Sequence, residues 1–250
     1  MNRTAFRGAK VLITGASAGL GRALTLALAA PGVDLGLVAR RAEPLAEVGA
    51  AAQALGARVW SYPADVGDAA AMRQAAGDFV AQAGGVTHAF ANAGISEPDR
   101  VLQGDPTVLG ELMRINVIGV INTLLPLVPS MVRQGRGHLV AISSVASFRA
   151  LPGKGGYCAS KGAVNMLMDG FRPRLRPHGI RVSTICPGFI ATALTARNAY
   201  PMPFMLSAER AAELTLRAVA RGRRQAVFPW QMRLIAPLLR RMPDFMLPAR

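Results

Sequence analysis

Lys10-Val11-Leu12-Ile13-Thr14-Gly15-Ala16-Ser17-Ala18-Gly19-Leu20-Gly21 is the stretch whose reading decides the fold. Its first five residues make an apolar run of strand length. The seven that follow place Gly15, Gly19 and Gly21 in front of a helical pattern. Small residues in such a turn let the backbone approach a pyrophosphate at the positive N-terminus of a helix. The spacing is looser than the G-x-G-x-x-G of dinucleotide folds, but the physics is the same. A purely structural turn is the rival for a lone glycine cluster, and the surrounding sequence has to discriminate.

Further strand-length apolar runs lie at 33–39, 57–62, 86–91, 137–143, 180–185 and 225–228. Helical stretches separate them, near 19–30, 42–55, 68–83, 107–134, 156–176 and 207–221. This alternation predicts an α/β fold: a doubly wound, Rossmann-like parallel sheet of about seven strands with helices on both faces. The 250 residues form one domain over 1–229, followed by a basic and apolar tail at 230–250 that is not a second domain. Ligands of such sheets sit beyond the carboxyl ends of the strands, where the strand order reverses.

Tyr157 and Lys161 are four apart on a predicted helix, so their side chains share one face. A phenol titrates near ~10, too high for ready proton exchange at neutral pH. A cation beside it favours the phenolate and brings that pKa down. Thirteen residues before Tyr157, Ser144 follows the apolar run Leu139-Val140-Ala141-Ile142-Ser143. Spacing and strand alternation favour Ser144 over Ser143 as the hydroxyl facing this pair.

In these motifs the chain resembles the short-chain dehydrogenase/reductase family, in its single-domain form of about this length. The turn from Thr14 to Gly21, Asn92-Ala93-Gly94, Asn116, Ser144, Tyr157/Lys161 and Pro187-Gly188 recur in the family's order, from residue 10 to about 192. The resemblance implies an NADP(H)- or NAD(H)-dependent enzyme with Asn116, Ser144, Tyr157 and Lys161 as its catalytic set. Tyr157 would exchange the proton, Lys161 would lower its pKa and bond the nicotinamide ribose, Ser144 would donate to the carbonyl oxygen, and Asn116 would hold a water. Cofactor contacts are implied at Gly15, Ser17, Gly19, Leu20 and Gly21, at Asp65 on the adenine amino group with Val66, and at Asn92, Ala93 and Gly94. Tyr157, Lys161, Pro187, Ile190 and Thr192 complete them at the nicotinamide end.

The end of the second strand selects between the two cofactors, because an acid there bonds a ribose 2′-hydroxyl while an arginine accommodates a 2′-phosphate. Ala39 occupies the acidic position, Arg40 and Arg41 follow it, and Asp34 lies at the strand's other end. NADP(H) is therefore expected, with Arg40 at the phosphate. Ala18 stands where some NADP-preferring relatives carry a second basic residue. Pro173, where relatives have no proline, is expected to kink or end the helix that carries Tyr157.

The net charge is +15, most of it arginine, with Lys10, Lys154 and Lys161 the three lysines. The basic residues are scattered without a nucleic-acid motif and aromatics are 6%, so no nucleic-acid partner is expected. Two cysteines, Cys158 and Cys186, make no disulfide framework, and Met1–Lys10 lacks an apolar signal core. A cytoplasmic location is expected. Cys158 is given no chemical role, since helix neighbours point about 100° apart. His88, His138 and His178 are too scattered for a metal site. The uncharged run Ile115–Val132 reaches the length of a membrane span but contains two asparagines and two prolines. The resemblance makes it a helix at a subunit interface, hence a homodimer or homotetramer.

Met202, Phe204, Met205 and Leu206 fit an apolar substrate pocket or ordinary core packing equally well. The expected activity is interconversion of a carbonyl and a secondary alcohol on an apolar small molecule. The alternative is a non-catalytic dinucleotide-binding regulatory or scaffold protein, and the filled catalytic set argues against it. For the tail, packing on its own subunit or a partner is preferred to peripheral membrane contact.

Overall fold

The computed structural model describes residues 3–196 and 201–234. Seven parallel strands form one sheet: β1 Lys10–Thr14, β2 Asp34–Ala39, β3 Arg58–Pro63, β4 His88–Ala91, β5 Gly137–Ile142, β6 Ile180–Pro187 and β7 Gln225–Phe228. Their order is β3-β2-β1-β4-β5-β6-β7, so the chain reverses direction across the sheet between β1 and β4. The helices are α1 Gly19–Leu28, α2 Ala42–Ala54, α3 Ala69–Ala83, α4 Thr107–Met113, α5 Gly119–Leu124, α6 Val128–Gln134, α7 Gly155–Leu175 and α8 Ala208–Ala220.

Strand alternation divides the core in two. In β1, Val11 and Ile13 pack into one cluster with Leu24 of α1, Leu45 of α2 and Leu216 of α8. Leu12 faces the other way, toward Phe79 of α3, Leu124 of α5 and Val164 of α7. Both faces are covered, which is why these strands read as unbroken apolar runs rather than alternating ones. The doubly wound single-domain fold is the one the β-α alternation predicts.

The predicted helix at 107–134 is helical throughout but not uniform. A wide π-turn, Arg114–Ile118, follows α4, and a 3-10 turn, Leu125–Leu127, separates α5 from α6. Pro126 and Pro129 open the 3-10 turn and α6, positions where a missing N–H costs little. The run is long and apolar enough to cross a membrane by composition, with mean hydropathy 1.8, but half of that window is buried inside the fold. Pro173 does not end its helix. α7 continues two residues beyond it, because a proline in the last turn sacrifices only one ladder hydrogen bond.

At the amino ends of the central strands, His88 and His138 lie 5.7 Å apart, ring to ring, with Phe6 packed on His88. His138 Nε2 is 2.7 Å from Ser183 Oγ. Burial, with the charge of Arg181, pushes His88 down to about 4. Burial, His88 and Arg181 push His138 down to about 3. Both pKa values are lower folded than unfolded, so the unfolded chain binds more protons below pH ~6.5 and stability falls with pH. Urea melts should show the unfolding free energy dropping between pH 6.5 and 4.5 by up to about 1.4 kcal/mol per pH unit for each histidine. His138→Gln should reduce that slope by about half; an unchanged slope would remove the pair from the explanation.

Candidate active site

The glycine turn is built by contact. Gly15 takes φ +67°, and a Cβ on Gly21 would stand 2.1 Å from the Gly15 carbonyl oxygen, so α1 can enter only as glycine there. Across the reversal point, Asn92 Nδ2 donates to Thr14 O at 3.0 Å and to Gly15 O at 3.4 Å. Thr14 Oγ1 accepts from Asn92 N at 3.1 Å and Ala93 N at 3.3 Å. The amide of Asn92 therefore braces the turn rather than reaching into the cleft. The residue before α1 is Ala18, which offers no side-chain cap, and the helix has no acid in its first turn. Its leading N–H groups suit an anion.

Arg40 and Arg41 leave the end of β2 and border the same cleft. Ala39 before them is buried, and Asp34, at the strand's opposite end, is held by Arg58 through two bonds of 2.7 Å. Asp65 lies at the carboxyl side of β3. Its Oδ2 accepts from Arg114 Nη2 at 2.9 Å and its Oδ1 from Gly67 N at 2.8 Å. Burial pushes this carboxyl up, but the bonds from Arg114 and Gly67 and the charges of Arg114 and Arg40 outweigh it and hold it below the usual range. Arg114 also grips Glu111 at 2.7 and 2.8 Å.

At the other end of the cleft lie Ser144, Tyr157 and Lys161. Lys161 is buried, and its Nζ donates to Ile142 O at 2.9 Å and stands 5.9 Å from the centre of the Tyr157 ring. Burial pushes its pKa down to about 8. Ser144 Oγ accepts from Ala146 N at 3.1 Å, which leaves its own proton to donate. Ser143 instead donates to Lys161 O at 3.0 Å, tying β5 to α7.

Asn116, wholly buried in the π-turn, donates from Nδ2 to Ile95 O at 2.9 Å and Ser160 Oγ at 3.0 Å, while its Oδ1 accepts from Ile95 N at 2.9 Å. A Cβ on Gly94 would lie 3.1 Å from Asn116 Oδ1 and 3.3 Å from Lys161 Nζ, which places both groups beside this glycine.

One cleft of about 900 Å³ joins these parts. Gly15, Ser17, Gly19, Leu20, Arg40, Asp65, Val66, Asn92, Ala93, Gly94, Ser144, Tyr157, Lys161, Pro187, Ile190 and Thr192 all border it. Gly21 and Asn116 do not; they support it from behind. The sequence reading missed Lys154 and Cys158, which also line the cleft. Lys154 is three residues before Tyr157 and four before Cys158, so helical spacing was the available signal. Burial pushes the Lys154 ammonium down and the Cys158 thiol up. Met202, Phe204, Met205 and Leu206, which fitted a substrate pocket or core packing equally well, do not line the cleft. Pro201 and Pro203 line the cleft, Phe204 and Met205 are exposed, and Leu206 bridges to Ile190.

The short chain dehydrogenase family model matches residues 9–201. An uncharacterised oxidoreductase of Myxococcus xanthus is 38% identical over 233 residues, covering 93% of this chain and 92% of that one. A short-chain dehydrogenase/reductase from Burkholderia phymatum, solved in complex with NAD, superimposes with a TM-score of 0.86 at 27% identity, over 94% of this chain and 93% of that chain. An alcohol dehydrogenase of Thermococcus sibiricus, complexed with 5-hydroxy-NADP, gives a TM-score of 0.78 at 27% identity, over 87% and 94%. A cleft that carries an anion-ready glycine turn at one end and a Ser-Tyr-Lys cluster at the other thus has its counterparts among nicotinamide enzymes, and the chain belongs to the short-chain dehydrogenase/reductase family of oxidoreductases, which act on alcohol and carbonyl groups.

Proposed function

We propose that the protein interconverts a carbonyl and a secondary alcohol on an apolar small molecule and prefers NADP(H). The observation that carries this reading is the convergence of Ser144, Tyr157 and Lys161 at the end of the cleft opposite Arg40 and the glycine turn. The turn fits the dinucleotide pyrophosphate because the close approach of Gly21 to the Gly15 carbonyl brings the uncapped N-terminus of α1 to the cleft. Arg40 and Arg41 fit a 2′-phosphate, and β2 ends on Ala39 rather than on an acid. When bound, the nicotinamide ring supplies or accepts the hydride.

The chain's own residues manage charge and protons. Ser144 donates to the substrate oxygen as negative charge grows there, and Tyr157 delivers the proton to the same atom. Lys161, held by Ile142 O, keeps a positive charge near the Tyr157 ring and favours its phenolate. Asn116 fixes the π-turn behind Lys161 through Ile95 and Ser160; with both N–H groups spent, its Oδ1 has one lone pair left for a water. In the same proposal the protein is a cytoplasmic homodimer or homotetramer. Both thiols are free and buried, and Ile118, Leu125 and Val132 leave an apolar stripe on the helical run of α4 to α6, with Met166 on α7.

Three measurements test the reading. Tyr157→Phe should lower kcat for reduction about 100-fold or more while leaving the Kd for NADPH unchanged. Lost cofactor affinity with unchanged kcat would contradict the role given to the phenol. Arg40→Ala should weaken NADPH binding about 10- to 100-fold without affecting NADH, followed by cofactor fluorescence. Equal affinities in the wild type would reassign Arg40 to the solvated surface. Because burial pushes Lys161 down to about 8, kcat/KM for reduction should fall as pH rises through about 8, when the cation beside Tyr157 is lost.

A further inference from the structure

The mouth of the cleft carries a surface that the redox chemistry does not use. Large apolar side chains stand out on the two segments beside it: Leu194 (38% exposed), Phe204 (47%) and Met205 (42%) between β6 and α8, and Trp230 (68%) and Leu234 (66%) beyond β7. The segments belong to the cleft wall, since Pro201, Pro203 and Met232 line it and Met232 and Pro229 stand against Gly188. Leu206 of the first segment and Trp230 of the second also border a second groove of about 1070 Å³. Phe204 is the one non-glycine residue among the described ones with φ in the left-handed region, +58°, held there without burying its ring. Scattered exposed apolar residues are normal; a group of them rimmed by charge marks a docking surface.

The charge identifies the occupant. Residues 201–234 hold six arginines against two acids, Glu209 and Glu213. Arg210, Arg217 and Arg233 line the groove, and Glu213 accepts from both Arg210 and Arg217. By sequence the same composition continues past Leu234, with Arg240, Arg241 and Arg250 against Asp244 among Ile235, Leu238, Leu239, Phe245 and Leu247. A second copy of this chain seated here would set arginine against arginine across a two-fold contact. An anionic bilayer instead matches both components: its headgroups attract each arginine by roughly five-fold in partition, and Trp and Leu side chains settle at the acyl boundary.

We propose that this rim docks the protein on an anionic phospholipid surface, with the cleft mouth turned toward the acyl chains. A ketone or alcohol dissolved in the bilayer then reaches Tyr157 without crossing water. That last step rests on the oxidoreductase reading, whereas the docking does not.

The full chain is floated with vesicles of phosphatidylcholine alone and with phosphatidylglycerol added in increasing fraction, at 0.1 and 0.5 M salt. Recovery should rise with the anionic fraction and fall at high salt. It should drop about ten-fold or more in Trp230→Ser/Leu234→Ser and in Arg210→Glu/Arg233→Glu, while both variants keep NADPH affinity and turnover of a water-soluble ketone. No recovery on anionic vesicles at low salt, or equal recovery on neutral ones, overturns the proposal. So does a change of oligomeric mass in the variants with vesicle recovery unaltered, which would give the face to a second copy. Vesicle binding without turnover of any carbonyl would leave the docking standing and remove the enzymatic reading instead.

Discussion

The contact between Gly15 and Gly21 is the constraint on which the site depends. The Gly15 carbonyl oxygen occupies the space where a side chain at position 21 would begin, and this brings the helix start onto the end of β1. Asn92 reaches across from β4 to hold both carbonyls of the bend, at Thr14 and Gly15. Because β1 and β4 are neighbours at the reversal of strand order, a single amide spans two otherwise distant parts of the chain and keeps the crevice between them open. The residue thus acts on the cofactor site by holding its backbone.

Electrostatics divides the cleft into two ends with opposite requirements. At the Arg40 end, Asp65 would oppose a phosphate if its charge stood alone. Arg114 and the Gly67 amide satisfy both of its oxygens, so the carboxylate is compensated where it lies. At the Tyr157 end the cation is the costly group. Lys161 is buried and its pKa falls, yet a value near 8 keeps most of it charged at neutral pH, and Ile142 O supplies the acceptor its ammonium needs. Arg114 and Asn116 sit in one π-turn, so a single irregularity in the long helical run serves both ends.

The β-α alternation was legible because parallel strands covered on both faces leave long apolar runs that helices interrupt. The turn glycines, Tyr157, Lys161 and Ser144 were legible because their chemistry needs those residue types at those spacings. Less could be read where packing chooses between equal local options. Met202, Phe204, Met205 and Leu206 fitted a substrate pocket or core packing equally well; in the fold Phe204 and Met205 are exposed, while Pro201 and Pro203 line the cleft. Pro173 read as a kink or an end of the helix, and α7 runs two residues past it to Leu175.

The sequence by itself determined the family, the alternation of strands and helices and the residues that converge, since periodicity and turn chemistry act over a few residues. Only the tertiary structure decided which hydroxyl of the Ser143-Ser144 pair ties β5 to α7, that the Asn92 amide braces the turn, and that Lys154 and Cys158 line the cleft. Those outcomes depend on contacts between residues 18 to 78 positions apart, or on which face of a helix meets a cleft. No local pattern encodes such distances; they follow from where seven strands and their helices come to rest.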